Sequence, residues 1–414
     1  MNRGYRYRRH PNKHWSRVVA ESAVAVIAAF CVVLFLAGPG LNLPLGSGTA
    51  TVSQPSQSQP AKGTTSSGTS QPAKITLLGA GDNMQHTPML DACKTDDGYD
   101  FKPIYTQIKP VVSAADIAFV NQEMPINPDA EPQGYPLFNA APEMCEALVD
   151  TGFDVISESN NHMLDQGEKG LQATIDYWKT KPGITQIGAY QDDADLRKPH
   201  IVEKNGFKVA YLAMTEMTNN FSLPEGSKLR ILYTSQTDTI RQLIQAAKQQ
   251  ADLVVVSVHW GTEDTFDLTD TQTKLAQEMV DWGADVIFGN HPHALQKLTT
   301  LKRQSDGATC PVIYAFGNLI STQYDPWNLV SGLLSVTYTR DANGKAVFQG
   351  MQFRPIVTYY ETGAKNIHVQ WLKDFTDEMA KKSRTWSKTG GKFTPAYAKS
   401  VVDQSIPKEY QNWT

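Results

Sequence analysis

The sequence predicts an α/β protein that follows an N-terminal membrane anchor and a flexible linker. Short apolar runs alternate with helical spacing along most of the 414 residues, a pattern typical of a sheet with helical crossovers. A basic head precedes an apolar segment near the N-terminus, and a stretch rich in Ser, Thr, Gly, Pro and Gln follows it. With 41% hydrophobic residues the chain can bury a core, which excludes global disorder.

The basic head and the apolar segment predict the topology. Six of the 38 basic residues lie at positions 1–17, without an acidic residue among them. The apolar segment at 18–37 contains only one formal charge, Glu21, which can reach toward the headgroups. Its uncharged part, residues 22–37, would span roughly 24 Å as a helix, whereas the core of a bilayer is about 30 Å thick. Residues 18–20 would extend this helix. Because positive charge stays in the cytoplasm, we expect a single-pass protein of the cell membrane with its domain outside.

The alternative for this segment is a cleaved signal peptide, which has the same basic and apolar regions. No small-x-small cleavage site follows Leu36, and Phe30 before Cys31 does not fit a lipoprotein site. An uncleaved anchor is therefore preferred. Both alternatives export the rest of the chain.

Residues 38–73 form the predicted linker. Lys62 is their only full charge, and such a composition cannot bury enough apolar surface to offset chain entropy. The body that follows has more acidic than basic residues, which argues against a sequence-independent nucleic-acid binder. Its cysteines, Cys93, Cys145 and Cys310, permit at most one disulfide and match no zinc-knuckle spacing, so a structural role is expected.

Apolar runs in the body end in polar residues. The runs predicted as strands are 75–79, 117–120, 154–156, 253–258, 286–288 and 312–316. The segments with helical spacing are 142–151, 170–179, 237–250 and 271–282. Ligands bind beyond the carboxyl ends of strands in sheets of this kind, so the polar residues at those ends are expected to converge.

The converging side chains offer oxygen and imidazole nitrogen atoms, and no thiolates. They are Asp82, Glu123, Asn161, His259, His291 and His293. Such donors suit Mn, Fe or Zn, and six suffice for one or two divalent ions that hold an oxyanion and activate water. Taken singly, each residue has a structural explanation, such as a helix cap for Asp82 or a hydrogen-bonded core histidine for His259. Their joint placement favours a metal site.

The motifs at these positions resemble the CapA family of poly-γ-glutamate capsule biosynthesis proteins. The motifs are GDNM, NQE, SNNHMLDQG, HWGTE, GNHPHALQ and YAFGN, within residues 74–325. The resemblance implies a calcineurin-like metallophosphoesterase fold, a sandwich of two mixed β-sheets flanked by helices with a two-metal site at the strand ends. We assign this domain to 74–360 and a C-terminal extension to 361–414.

The resemblance also implies a role for each site residue. The implied metal ligands are Asp82, Glu123 as the bridging carboxylate, Asn161 as the amide ligand, and His259, His291 and His293. His162 is the implied proton donor to the leaving group. Asp165 and Glu263 would orient imidazole rings, a contact that metal-binding histidines usually need.

Three positions depart from the expected pattern. Met84 lies where metallophosphoesterases have a histidine two residues after the first aspartate, and either His86 replaces that histidine or the first metal is weak or absent. Asn290 replaces the first histidine of an expected Gly-His-His-Pro-His motif. Glu123 is one methylene longer than the usual aspartate. These departures make one metal site more secure than two.

The C-terminal part carries fewer signals. Residues 333–339 and 346–353 alternate like a hairpin with a turn at 341–344, and we expect them to close the second sheet. Residues 361–414 are expected to form a helix and a basic tail, with contact to an anionic polymer as a lesser alternative to a solvated face.

Two functions fit these expectations. The first is a membrane-anchored extracellular hydrolase with a metal site, acting on a phosphoester or on an amide bond of a capsule or cell-envelope polymer. The second is a non-catalytic accessory protein that binds or exports an anionic polymer with the same fold. A purely structural module is a third possibility. The expected partners are the polymer or phosphoester substrate, the membrane and other capsule-synthesis membrane proteins, but no nucleic acid.

Overall fold

The computed structural model describes residues 73–414. The predicted basic head, the predicted anchor and the linker up to residue 72 lie outside the described residues. Within residues 73–414, no helix has both the length and the apolar character that a bilayer crossing requires.

The described part of the chain alternates strands and helices. Its strands are β1 (Lys74–Asn83), β2 (Lys94–Thr95), β3 (Gly98–Tyr99), β4 (Ile117–Gln122), β5 (Val155–Ser157), β6 (Thr185–Ile187), β7 (His200–Lys204), β8 (Phe207–Thr215), β9 (Leu253–His259), β10 (Val286–Asn290), β11 (Leu298–Lys302), β12 (Thr309–Ile313), β13 (Asn318–Ile320), β14 (Val330–Arg340), β15 (Ala346–Tyr359) and β16 (His368–Trp371). Its α-helices are α1 (Thr87–Cys93), α2 (Lys102–Tyr105), α3 (Lys109–Val112), α4 (Pro142–Thr151), α5 (Gly167–Lys179), α6 (Asp193–Arg197), α7 (Thr237–Lys248), α8 (Asp270–Trp282), α9 (Asp377–Lys382), α10 (Arg384–Thr389) and α11 (Pro395–Ser405).

Two mixed sheets contain all of these strands except β2 and β3, which pair with each other. The first has the strand order β16-β15-β14-β1-β4-β5-β6, with β13 also paired to β1. Its strands β1, β4, β5 and β6 are parallel, whereas β14, β15 and β16 are antiparallel to their neighbours. The second sheet has the order β11-β12-β10-β9-β8-β7, parallel in the centre and antiparallel at both edges. The prediction of an α/β fold with mixed sheets and helices is confirmed.

Strand β9 shows how the sheets and helices pack. Neighbouring residues of a strand face opposite sides, so a strand covered on both faces is apolar throughout. Val255 joins the core between the two sheets, where the rings of Phe119 and Phe288 lie 5.3 Å apart between centroids. Val254 and Val256 face the other way and pack in a second core with α7 and α8. Residues 73–414 therefore form a sandwich with helices on the outside of the second sheet.

Two glycines permit close backbone contact where the sheets meet. A Cβ atom on Gly289 in β10 would lie 1.9 Å from the carbonyl oxygen of Tyr314. A Cβ atom on Gly81 in β1 would lie 1.9 Å from the carbonyl oxygen of Gly317. Because neither distance leaves room for a side chain, glycine allows the segment at 314–317 to cross the strand ends next to Asp82.

The structure corrects two expectations about the C-terminal part. The expected hairpin forms as β14 and β15, but β14 pairs with β1, so the hairpin extends the first sheet and not the second. Residues after 360 contribute β16 to the same sheet, and Ala398 and Val402 of α11 belong to the core between the sheets. Apolar side chains on β16 and α11 thus tie the expected extension to the main body.

The three cysteines of the described region are buried and free. Cys93, Cys145 and Cys310 therefore act as small core residues, and none of them forms a disulfide with another. Burial raises the pKa of both Cys93 and Cys310 to about 11, which keeps these thiols protonated and unreactive near neutral pH.

Candidate metal centre

Buried donors from both sheets converge at the carboxyl ends of the strands. Asp82 lies in β1, Glu123 directly follows β4, and Asn161 follows β5. These three strands belong to the first sheet. His259 ends β9, and His291 and His293 follow β10 in the second sheet. Each of these six side chains is no more than 3% exposed, so the donors meet away from bulk solvent.

The first donor group consists of Asp82, Glu123 and His293, each with one ligand atom within 4.8 Å of the others. Nδ1 of His293 lies 3.3 Å from Oδ2 of Asp82, and its Nε2 lies 3.7 Å from Oε1 of Glu123. Two carboxylates and one imidazole are a common set for a divalent transition metal.

The second donor group consists of Glu123, His259 and His291, again within 4.8 Å. Nε2 of His259 lies 3.5 Å from Oε1 of Glu123 and 3.0 Å from Oδ1 of Asn161, so the amide oxygen is at the same location. The rings of His259 and His291 are 4.7 Å apart between centroids. Since Glu123 belongs to both groups, its carboxylate occupies the position of a bridging ligand.

Several buried polar atoms of this centre have no hydrogen-bond partner within residues 73–414. They are both carboxylate oxygens of Glu123, Oδ1 of Asn121, Nδ1 of His291 and both amide atoms of Asn290. An unpartnered buried polar atom costs about 1–3 kcal/mol, so such a concentration in one place needs an explanation. A cation between Glu123 and His291 would supply partners for both, and the residues therefore fit a divalent metal.

Burial disfavours charge on most of these groups. It raises the pKa of Glu123, and the negative charge of Asp82 raises it further. Burial also lowers the pKa of His259 well below its usual value and that of His291 to about 3, with the neighbouring histidines adding to both shifts. Neutral imidazoles have the form that binds metals, whereas Glu123 needs a nearby positive charge to ionise.

His293 differs from the other two imidazoles. Burial lowers its pKa, but the hydrogen bond and the negative charge of Asp82 outweigh burial, and the pKa of His293 is raised overall. Asp82 therefore favours the doubly protonated imidazolium form of His293. A bound cation would have to displace one of the two ring protons.

His162 lies beside the centre and is held by Asp165. Nδ1 of His162 is 2.7 Å from Oδ2 of Asp165, and the same oxygen accepts the backbone N–H of Phe138 at 2.8 Å. The ring of Phe138 meets the imidazole edge-on at 4.7 Å. Nδ2 of Asn161 donates to Asn219, whose own amide nitrogen lies 3.3 Å from the His162 ring. The His162 imidazole is thus fixed in orientation next to a donor of the centre.

Glu263 is placed differently from the other proposed orienting residue. Its side chain is exposed, and among the residues that the structure describes no hydrogen bond or ion pair joins it to an imidazole. Its negative charge acts at longer range, where it helps to raise the pKa of Glu123 and of His293. The structure does not bring Glu263 into contact with the imidazoles that it was expected to orient.

Neither Met84 nor His86 belongs to the two donor groups. Met84 is buried, and His86 accepts the backbone N–H of Thr322 at 3.4 Å while its ring meets Phe138 edge-on at 5.4 Å. Burial lowers the pKa of His86 to about 3. Both donor groups are formed without these two residues, so the departure at Met84 removes neither group.

Sequence reasoning missed two asparagines that hold the ligands. Nδ2 of Asn121 donates to Oδ1 of Asp82 at 2.8 Å, and Oδ1 of Asn318 lies 2.9 Å from Nδ1 of His293. A signal for Asn121 was present, because it is two residues before Glu123 and shares its face of the strand. Asn318 lies in the YAFGN motif, but the contact joins positions that are 25 residues apart.

Comparison with known proteins matches this region to one family. Residues 76–323 match the family described as bacterial capsule synthesis protein PGA_cap. The PGA biosynthesis protein CapA of Bacillus subtilis is 29% identical over 300 residues, which cover 70% of this chain and 75% of that protein. The capsule biosynthesis protein CapA of Bacillus anthracis is 32% identical over 212 residues, which cover 50% of this chain and 49% of that protein.

Among solved structures, the NAD nucleotidase of Haemophilus influenzae is similar over 80% of this chain and 59% of its own, with a TM-score of 0.43 and 13% identity. The strand pairings define the fold of this chain, and the converging donors define its candidate centre.

Proposed function

The chain belongs to the PGA_cap family of bacterial capsule synthesis proteins, and from this membership we propose a membrane-anchored, extracellular metal-dependent hydrolase of poly-γ-glutamate biosynthesis. The observation that carries the hydrolytic part is the shared carboxylate of Glu123 between two buried donor groups. Two adjacent cation positions with a common carboxylate suit hydrolysis of a phosphoester or an amide bond.

The donor set supports Mn, Fe or Zn as the divalent ion, in one or two copies. Asp82, Glu123 and His293 would hold one ion, and Glu123, His259 and His291 would hold the other with Asn161 beside them. When bound there, such an ion would polarise the scissile bond as a Lewis acid and lower the pKa of water.

His162 is proposed to give a proton to the leaving group. Asp165 accepts the hydrogen bond from Nδ1, so the proton that the imidazolium form of His162 would transfer is the one on Nε2. His162 is 5% exposed, and the neighbouring Tyr135 is 69% exposed with its ring 6.5 Å from the imidazole. This arrangement supports entry of the substrate from the side of Tyr135. The leaving group would then lie next to His162, whose orientation is fixed.

The location outside the cell is proposed from the sequence. The basic residues at 1–17, the apolar segment at 18–37 and the uncharged linker support a domain tethered to the outer face of the membrane. There it would meet an anionic cell-envelope polymer and other capsule-synthesis membrane proteins. Protease added to intact cells should remove the domain, and full protection in intact but not in broken cells would contradict this location.

The hydrolytic proposal is tested with the full chain, purified in detergent and loaded with Mn²⁺ or Zn²⁺. An aryl phosphoester and γ-linked polyglutamate serve as two separate substrates, followed by phenol release and by polymer length. We expect cleavage of one of them, which the Glu123→Gln variant abolishes. His162→Gln should lower the rate by about 100-fold or more without loss of metal.

A matched control is Glu158→Gln. Glu158 is also a fully buried glutamate, but it accepts a hydrogen bond from Nε1 of Trp178 at 2.5 Å and belongs to neither donor group. This variant should retain the activity of the unchanged protein. If the metal-loaded protein cleaves neither substrate, the proposed hydrolytic activity is contradicted.

A second candidate is a non-catalytic accessory protein that binds the polymer during export. It is favoured by Met84, a buried thioether at the position where hydrolases of this type have a histidine. A local basic patch outside the donor groups would then attract the polyanion to an acidic body. Under this candidate, Asp82→Ala and His291→Ala would retain polymer binding and export, and loss of both properties in either variant would count against it.

A further inference from the structure

Asn318 has an amide whose orientation is fixed by its surroundings. It begins β13, it is the register partner of Asp82 on β1, and its side chain is fully buried. Its Nδ2 lies 2.7 Å from Oε1 of Gln323, 2.9 Å from the carbonyl oxygen of Asn328 and 3.1 Å from Oγ of Ser321. Two of these atoms are acceptors only, so the amide nitrogen must face them and Oδ1 must face the opposite side.

On that opposite side is His293. Oδ1 of Asn318 lies 2.9 Å from Nδ1 of the imidazole. A carbonyl oxygen has no proton to give, so Nδ1 of His293 must be the donor. Nε2 of the neutral ring then has the free lone pair, and this atom lies 3.7 Å from Oε1 of the shared carboxylate Glu123.

The same network supports the backbone of His293, which has a φ of 54°, in the left-handed region that residues other than glycine rarely occupy. Nδ2 of Asn328 donates to the carbonyl oxygen of His293 at 3.2 Å and to Oδ1 of Asp264 at 2.8 Å. The backbone N–H of Asp264 donates to the carbonyl oxygen of Pro292 at 2.9 Å. Asn328 therefore connects the amide that faces the imidazole with the backbone that carries it.

We propose that Asn318 is a positioning residue that holds His293 in the Nδ1–H tautomer, so that Nε2 is the atom available to a divalent cation. Oδ2 of Asp82 is the competing acceptor for the same proton, at the longer distance of 3.3 Å. A carboxylate that binds a cation has less charge left to accept this proton, which leaves Asn318 as its partner. The cation rests on the proposed function, whereas the tautomer is a property of the chain itself.

The test compares Asn318→Leu, which removes the acceptor, with Asn318→Asp, which keeps an acceptor oxygen. The full chain is labelled with ¹⁵N-histidine, freed of metal and titrated upward in pH until the ¹⁵N shifts of His293 stop changing, so that the spectra report the neutral imidazole. The signal of His293 is assigned by its loss in His293→Gln. Zn²⁺ affinity is measured on the same proteins by competition with a chelator.

We expect His293 to be in the Nδ1–H form in the unchanged protein and in Asn318→Asp. In Asn318→Leu combined with Asp82→Ala, which removes the competing acceptor, the Nε2–H form should appear, whereas Asp82→Ala alone should keep the Nδ1–H form. In Asn318→Leu alone, Zn²⁺ affinity should fall by about 10- to 100-fold. Thr174→Val is the control for lost buried hydrogen bonds, since Thr174 exchanges hydrogen bonds with the backbone of Ile126 and, within residues 73–414, forms none with a residue of the centre. It should leave the tautomer and the Zn²⁺ affinity unchanged.

An Nδ1–H form of His293 in the Asn318→Leu/Asp82→Ala double variant, or unchanged Zn²⁺ affinity in Asn318→Leu, would overturn the assignment. If a variant does not fold, the spectrum of the unchanged protein is the test. An Nε2–H form of His293 in that spectrum would also overturn the assignment. If the unchanged protein binds no Zn²⁺, the proposed function fails, and the tautomer in the metal-free spectra still decides the role of Asn318.

Discussion

Oε1 of Glu123 lies 3.5 Å from Nε2 of His259, although the two residues belong to different sheets. The first sheet supplies the carboxylates and the amide of the candidate centre, and the second sheet supplies every imidazole in its two donor groups. The centre is therefore assembled only where the carboxyl ends of both sheets meet. Its integrity depends on the packing of the sandwich as well as on the ligands.

The shared position of Glu123 predicts that one substitution affects both cation sites. Glu123→Gln removes the carboxylate charge from both donor groups, so binding of both ions should weaken by about 100-fold or more. Metal content measured by mass spectrometry after dialysis should fall from about two ions per chain to near zero. The Glu158→Gln variant, which alters a buried glutamate bonded to Trp178, should keep both ions.

Asp82 and His259 belong to different donor groups, and their loss should have separate effects. Asp82→Ala should release one ion and His259→Ala the other, because the altered group keeps only Glu123 and one imidazole while the other group is intact. Metal content should be about one ion per chain in either variant and near zero in the double variant. Complete loss of metal in both single variants would show that the two groups form one inseparable site.

Metal affinity should fall as the pH falls. The pKa of Glu123 is raised by burial and by Asp82, and that of His293 is raised because Asp82 outweighs burial. Both groups thus hold protons that a cation must displace, whereas His291, with a pKa of about 3, competes only in strong acid. Calorimetry with Zn²⁺ should detect proton release and weaker binding at about pH 6 than at about pH 8. Equal affinity at both pH values would contradict this charge distribution.

Close backbone contact at β10 predicts a large effect of one methyl group on stability. A Cβ on Gly289 would lie 1.9 Å from the carbonyl oxygen of Tyr314, a backbone atom that cannot move aside. Gly289→Ala should lower the free energy of unfolding by about 3 kcal/mol or more in chemical denaturation. A Cβ on Gly344 would meet no atom within 4 Å, and φ there is 78°, so Gly344→Ala should cost only about 1 kcal/mol. Similar losses in both variants would refute the steric explanation.

The sequence allowed the convergence of the donors to be predicted because parallel strands end at a common edge. Apolar runs buried on both faces, such as β9, are visible without any knowledge of their partners. The hairpin of β14 and β15 was also visible, but alternation does not specify a neighbour, and its pairing with β1 could not be foreseen. The C-terminal α11 has an apolar face whose binding partner is likewise unspecified by its own residues.

Contacts between distant segments set the limit of prediction at the centre. Glu263 is near His259 in sequence, yet its side chain is exposed, because proximity along the chain does not determine direction. Asn318 reaches His293 only because the chain turns back at Gly317, where φ is 75°, and because β13, three residues long, pairs with β1. A strand of three residues has too little pattern to be recognised, and its partner is more than 200 positions away.

Anomalous X-ray scattering from crystals soaked in Mn²⁺ tests the two-ion centre most directly. Two peaks about 3.5–4 Å apart are expected, with the Glu123 carboxylate between them. His293 should face one peak and His259 the other. The two-ion centre would be contradicted if no peak appeared at these residues, or if the Glu123 carboxylate did not lie between two peaks.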